Sequence, residues 1–400
     1  MNVRELAARL QQPGESKILL VVADGLGGIP GKHGGSELEE AVTPNLDAIA
    51  RDGASGLLLP VAPGITPGSG PGHLALFGYA PLVHDIGRGV LTALGIGFEL
   101  RPGDVAARGN FCTRDSSGLV ADRRAGRIGT DAARSLVDEL RRIEIEGVEV
   151  FVEPVKEHRF LLVLRGEGLG DGVSDTDPHQ PGLPPREPEA RDAASAATAE
   201  AISSFMEQAG RLLQDRQPAN GVLLRGFQSL PGLPSMKTSY GVRACAVAGY
   251  PMYRGVARLL GMEVVERGPE LDDEVDALGE VWHDHDFFFL HYKATDTAGE
   301  DGDFDAKVAA IETLDAQIPR IEELRPDVIV VTADHSTPSQ LASHSWHPVP
   351  VVLGADTCRR DDVAHFGETA CARGGLGQMQ AQHLMTMMLA HAGRLRRFGA

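Results

Sequence analysis

Cysteine is scarce and scattered in this chain. Cys112, Cys245, Cys358 and Cys371 are the four present. No two are spaced as a redox pair or a metal-binding pair, so isolated reduced thiols in a cytoplasmic protein are expected. Positive charge is also short: 38 Lys and Arg stand against 56 Asp and Glu, a formal net charge of −18. A surface of that sign argues against non-specific binding to nucleic acid or an anionic membrane, while leaving room for a local basic pocket. No apolar run approaches the ~20 residues of a transmembrane helix. The N-terminus carries acids and glutamines where a secretory signal would be apolar.

What is present suits a soluble globular enzyme. The 400 residues suffice for two or three domains and a large core, and 42% apolar with 24% charged content is ordinary. The chain is organised around Val331-Thr332-Ala333-Asp334-His335-Ser336-Thr337-Pro338. The run Asp327 to Val331 has the apolar, β-branched character of a strand buried on both faces. An acid and an imidazole stand side by side just past it, where open α/β sheets place their ligands. Alone, the dipeptide reads equally well as a helix start capped by Asp334 or Ser336. The pattern recurs, however. Lys17 to Ala23 is a second buried-strand run, followed by Asp24-Gly25, and Asp286 to Tyr292 is a third, followed by Lys293-Ala294-Thr295-Asp296. His344 follows before the next strand-like run, Val349 to Leu353. Carboxylates with imidazoles suit Zn, Mn or Fe better than Ca.

Between these strands lies Gly64-Ile65-Thr66-Pro67-Gly68-Ser69-Gly70-Pro71-Gly72-His73. Its glycines allow close backbone approach to a ligand and hold Ser69 at a sharp turn, near the start of a helix where anions bind. The spacing differs from the Gly-x-Ser-x-Gly elbow of hydrolases. Further along, Arg108, Arg114, Arg123, Arg124 and Arg127 cluster in an otherwise acidic chain. Thr43-Pro44 predicts a hydroxyl-capped helix running to about 52, and a strand is expected at 57–61. An inserted α+β unit is expected at 105–235, with helices at 131–142 and 190–215 and strands near 148–152, 159–164 and 221–225. The core then resumes with a strand-like run at 240–247, a helix at 252–261, strand 286–292, helix 304–323, strands 328–332 and 349–353, and a C-terminal helix at about 377–397.

Taken together, Val22-Ala23-Asp24-Gly25-Leu26-Gly27, the glycine-rich run through His73, Gly87-Arg88-Gly89, Arg108-Gly109-Asn110-Phe111, Asp122-Arg123-Arg124-Ala125-Gly126-Arg127, Asp175-Thr176-Asp177-Pro178-His179, Asp334-His335-Ser336-Thr337-Pro338 and His344-Ser345 resemble the archaeal-type cofactor-independent phosphoglycerate mutases. These are a branch of the alkaline phosphatase superfamily. The resemblance spans nearly the whole chain. It implies an α/β core, 1–104 with 236–400, whose mainly parallel central sheet carries helices on both faces and binds metal. It also implies a smaller domain, 105–235, that closes over the substrate.

The resemblance further implies two divalent metal ions, with manganese as first choice and magnesium, cobalt or zinc as alternatives. Asp24, Ser69, Asp334 and His335 would hold one ion. Asp296, the residue four later and His344 would hold the other. The family has His at that later position, whereas this chain has Glu300, and His347 replaces the usual Asp or Asn. Ser69 would be the nucleophile that carries the phosphoryl group between 3- and 2-phosphoglycerate in glycolysis and gluconeogenesis. Arg108, Asn110, Arg123, Arg124, Arg127, His158, Arg159, Asp175, Asp177 and Arg243 are the substrate-binding candidates. A metal-dependent phosphatase or phosphonate hydrolase and a non-catalytic phosphometabolite-binding relative are the rival readings. A small phosphorylated substrate is the expected partner, neither nucleic acid nor membrane is, and a homo-oligomer is left open.

Overall fold

The structure is a computed structural model and describes residues 2–84, 86–268 and 270–399. The chain forms two compact units, Met1–Asp85 with Leu233–Ala400 and Ile86–Gly232. The second begins at Ile86 rather than at 105, because the helix Arg88–Gly95 packs on the strands Val105–Arg114 and Gly221–Ser229 of that unit.

The first unit is built on an eight-stranded sheet. From one edge, its strands are Gly377–Gln380, Ala54–Leu59, Val349–Ala355, Val328–Thr332, Ile18–Ala23, Phe287–Tyr292, Ala244–Ala248 and Glu263–Val265. Ile18–Ala23 lies at the centre, parallel to both neighbours, with Val22 level with Thr332 on one side and Ala23 level with Tyr292 on the other. That register brings the carboxyl ends of three strands to one edge, so the residues that follow each strand converge there. Val349–Ala355 runs antiparallel to both of its neighbours, so the sheet is mainly but not wholly parallel. Alternate residues of the central strands (Leu19, Val21, Phe288, Leu290, Ile329 and Val331) bury one face against the helices Pro44–Asp52, Leu271–Val281 and Phe304–Glu323. On the other face Phe77, at the end of the helix Ser69–Leu76, packs edge-on to Phe289 at 4.9 Å between ring centroids. Among the described residues no helix is long and apolar enough to cross a membrane.

Three local expectations need correction. Thr43 precedes the helix Pro44–Asp52 but makes no side-chain cap. The Asp315 carboxylate accepts from the Asn45 and Leu46 amides instead, at 3.0 and 2.8 Å. The alanine-rich helix begins at Ala196 rather than 190, after a short 3₁₀ turn whose start is capped by Asp192. The segment expected as one C-terminal helix starts as the strand Gly377–Gln380, paired with Ala54–Leu59, and becomes α-helical only over Leu384–His391. Small shifts also occur elsewhere: the strand expected at 57–61 spans Ala54–Leu59, and that expected from 240 starts at Ala244, after a helical turn.

The second unit has an antiparallel sheet in which Val105–Arg114 pairs with Val120–Asp122, Arg159–Arg165 and Gly221–Ser229, and Glu149–Pro154 forms an edge beside Arg159–Arg165. The helices Thr130–Leu140 and Ala196–Leu213 cover one face, burying Phe111, Phe160, Leu162, Leu164, Val222 and Leu224 against Val137, Ile202 and Phe205.

One buried acid gives the first unit a pH dependence. Burial of Glu274 pushes its carboxyl up to about 8, and the neighbouring Asp273 acts in the same sense. The folded state therefore favours the protonated form. Stability is fully present below the ordinary value of 4.5 and is lost as pH rises through about 8. Glu274→Gln keeps an acceptor for the Gly249 amide, bonded at 2.9 Å in the parent, and removes the titration. The melting-temperature advantage of that variant over its parent should widen from pH 5 to pH 8.5; a constant difference would show that Glu274 ionises normally.

Candidate functional site

The carboxyl ends of the three central strands deliver two overlapping groups of ligand-type side chains. Asp24, Asp334 and His335 form one, and Asp296, His335 and His344 the other; within each, one potential ligand atom per residue lies within 4.8 Å of the rest. His335 Nε2 is 3.3 Å from Asp24 Oδ1, 3.2 Å from Asp334 Oδ2 and 3.2 Å from Ser69 Oγ. Asp24 Oδ1 and Asp334 Oδ2 are buried and accept no hydrogen bond among the described residues. Buried carboxylate oxygens in that state are costly unless a cation meets them, so the donor set fits divalent metal ions. The imidazoles of His335 and His344 stack at 3.6 Å between centroids. His344 Nε2 is 3.8 Å from Asp296 Oδ1 and 3.6 Å from Glu300 Oε1. Glu300 thus borders the second group without joining it, its side chain 55% exposed. His347 is turned to Ser345 Oγ at 3.0 Å and stacks on Trp346.

Four residues that the sequence did not single out enclose these groups. Lys293 Nζ bridges Asp24 Oδ2 at 3.1 Å and Asp296 Oδ2 at 2.5 Å, and also donates to the Tyr253 hydroxyl at 3.0 Å. His291 Nε2 meets Asp24 Oδ2 at 3.0 Å, and its ring stacks on Tyr253 at 3.7 Å. His73, one helical turn beyond Ser69, places Nδ1 2.9 Å from the Ser69 carbonyl and 3.1 Å from Asp334 Oδ2. Burial would raise the Asp24 carboxyl, but the His291 hydrogen bond and the Lys293 and His335 charges outweigh it and hold it well below the usual range. Burial and the Asp24 charge likewise push Asp334 up, and His335 and His73 outweigh them. His335 is lowered by burial against the pull of both carboxylates.

Backbone packing fixes the groups in place. Gly25 has a φ of +65°, and a Cβ there would run into Thr337 Oγ1 and Asp296 Oδ1. A Cβ on Gly72 would overlap the Asp334 carbonyl, so the helix that begins at Ser69 lies backbone to backbone on the Asp334 loop.

The second unit gathers arginines on the sheet face opposite the helices Thr130–Leu140 and Ala196–Leu213. By strand alternation Arg108, Asn110, Arg159 and Arg225 share that face, and Arg108 stands directly across from Arg225 in the antiparallel ladder. Like charges so placed destabilise a sheet. Burial pushes Arg108 down to about 10, with Arg88, Arg225 and Arg159 acting in the same sense. Asp177 holds Arg123 through two bonds, at 2.8 and 2.6 Å, and lies 3.5 Å from Arg225; Asp175 accepts from the Gly226 amide at 2.8 Å and lies 3.7 Å from Arg225. Arg124 and Arg127 are exposed. Burial pushes the His158 imidazole down to about 4, helped by Arg159, Arg124 and Arg127. Arg225 joins this set through the strand register, and Arg88 through the packing of the helix Arg88–Gly95 on the strands; neither signal is local in the sequence. Arg243 does not belong with the candidates. It precedes the strand Ala244–Ala248, at the sheet edge opposite Asp24, and pairs with Asp286 at 2.7 Å.

Known proteins resemble the chain over its length. Residues 50–220 match the family model described as 2,3-bisphosphoglycerate-independent phosphoglycerate mutase. The chain is 49% identical to a probable 2,3-bisphosphoglycerate-independent phosphoglycerate mutase of Thermus thermophilus, with 100% of both chains covered. It is 45% identical to one from Aquifex aeolicus, covering 99% of this chain and 100% of that one. Among solved structures, the PH0037 protein of Pyrococcus horikoshii matches with TM-score 0.84 and 30% identity over 96% of this chain and 100% of that one. The cofactor-independent phosphoglycerate mutase of Thermoplasma acidophilum matches with TM-score 0.74 and 32% identity over 94% and 100%. The chain therefore belongs to the 2,3-bisphosphoglycerate-independent phosphoglycerate mutase family.

Proposed function

We propose that the chain interconverts 3-phosphoglycerate and 2-phosphoglycerate, as a cytoplasmic step of glycolysis and gluconeogenesis, through a phosphoserine at Ser69. The observation that carries this reading is the placement of Ser69 Oγ beside the junction of the two ligand groups, 3.2 Å from His335 Nε2. Asp24, Ser69, Asp334 and His335 would hold one divalent ion, and Asp296, His344 and Glu300 the other. Manganese fits the oxygen-rich set best. Bound ions would polarise the phosphoryl oxygens and lower the pKa of the serine hydroxyl. The phosphorus–oxygen bond to one glycerate hydroxyl breaks as that to Ser69 Oγ forms, and the transfer then reverses onto the other hydroxyl. The chain's own share is positional. Lys293, His291 and His73 hold the carboxylates of Asp24, Asp296 and Asp334, and the first turn of the helix from Ser69 presents its amides to an anion. On the second unit Arg108, Arg225, Arg159 and Arg88 offer guanidinium contacts to a carboxylate or phosphate. Arg123 is held in place by Asp177, and Arg124 and Arg127 add charge beside His158.

Three measurements test the reading. With manganese and 3-phosphoglycerate, the protein should form 2-phosphoglycerate rather than free phosphate, and Ser69→Ala should abolish turnover while changing stability by less than ~1 kcal/mol. Near-normal turnover in that variant would remove Ser69 as nucleophile. Glu300→Ala should lower the metal content from two ions per chain toward one; two ions retained under limiting manganese would return Glu300 to the solvated surface. Arg108→Met relieves the Arg108–Arg225 repulsion, so it should raise the anion-free melting temperature by about 2–4 °C. The same variant should lose the stabilisation that 3-phosphoglycerate gives the parent. An unchanged response to ligand would place the substrate elsewhere.

A further inference from the structure

Behind the ligand groups lies a buried ion pair that the chemistry does not use. Lys307, on the helix Phe304–Glu323, and Glu37, on the short helix Glu37–Glu40, are each fully buried. Lys307 Nζ donates to the Gly27 carbonyl at 3.1 Å and to the Thr337 carbonyl at 2.8 Å. Glu37 Oε1 accepts from the Ser339 amide at 2.7 Å and from its hydroxyl at 2.5 Å. The pair is closed by 4.0 Å between Lys307 Nζ and Glu37 Oε2, and this second oxygen accepts no hydrogen bond among the described residues. The groups it grips belong to the two loops that carry Asp24 and Asp334-His335. Those loops are already joined, since the Thr337 amide lies 3.1 Å from the Gly25 carbonyl and 3.0 Å from that of Gly27. Thr337 in turn donates its hydroxyl to Asp296 Oδ1 at 2.6 Å and lies 3.0 Å from His335 Nδ1.

We propose that the Lys307–Glu37 pair is a positioning device that fixes Thr337, and through it Asp296 and His335, in ligating geometry. The proposal rests on the reading of those side chains as metal ligands. A buried ion pair adds little to stability over apolar residues of the same volume, whereas removal of one partner leaves an uncompensated charge. Stability and positioning can therefore be separated by experiment. The lysine carbonyl grip is lost both in Lys307→Met and in the double variant Lys307→Met/Glu37→Gln, but only the single variant strands the Glu37 charge.

The test measures thermal unfolding of the metal-free proteins and the affinity of each for Mn2+, followed by the paramagnetic resonance signal of free ion. Lys307→Met should unfold at markedly lower temperature than the parent. The double variant should recover most of that loss yet bind Mn2+ about 10–100-fold more weakly than the parent, the range typical of lost support behind metal ligands. Parental Mn2+ affinity in a folded double variant would overturn the proposal. So would a double variant that fails to fold, because the pair would then hold the unit together rather than aim its loops. A parent that binds no Mn2+ would overturn the metal reading itself, and the proposal with it.

Discussion

Three carboxylates, those of Asp24, Asp296 and Asp334, are forced together in a place that water does not reach. Their meeting follows from the sheet: parallel strands in register end level with one another, and each strand here hands on an acid shortly after its last buried residue. Repulsion between buried like charges is large, and screening by salt is weak there. Much of the surrounding architecture offsets that repulsion. Lys293 spans two of the carboxylates, His291 and His73 each face one, and Thr337 donates to the third. Among the described residues Asp24 Oδ1 and Asp334 Oδ2 still accept no hydrogen bond, although imidazole nitrogens lie close to both.

The two units solve opposite electrostatic problems. The first accumulates negative charge at strand ends and leaves it for small hard cations. The second accumulates guanidinium groups on one sheet face, where Arg108 opposes Arg225 across a ladder. A chain of net charge −18 thus keeps a cationic surface at one defined place, where the guanidinium groups repel one another.

Much of this was legible in the sequence for a simple reason. Buried parallel strands read as continuous apolar runs, so the acids that end them stand out, as Asp24, Asp334 and His335 did. The helix after Gly68 was also visible from its glycines. What stayed hidden depends on contacts distant in the chain. Asp315 displaces Thr43 as the cap of a helix 270 residues away. His73 and Lys293 gain meaning only once Asp334 and Asp24 lie beside them. The strand Gly377–Gln380 is too short and polar to show alternation, and is a strand only because Ala54–Leu59 leaves an edge free for it. Arg243 has the charge a phosphate needs, but the sequence does not show that it stands at the opposite end of the sheet, paired with Asp286.

The contact of Gly72 with the Asp334 carbonyl has a consequence for how such a centre can change over evolutionary time. At Gly72 main chain lies where a side chain would start, and at Gly25 the positive φ and the side chains of Thr337 and Asp296 exclude one as well. Heritable variation is thereby channelled outward, to positions such as Glu300 that face solvent and can be exchanged without moving the lining. An exchange at Glu300 would leave the packing of Gly25 and Gly72 untouched.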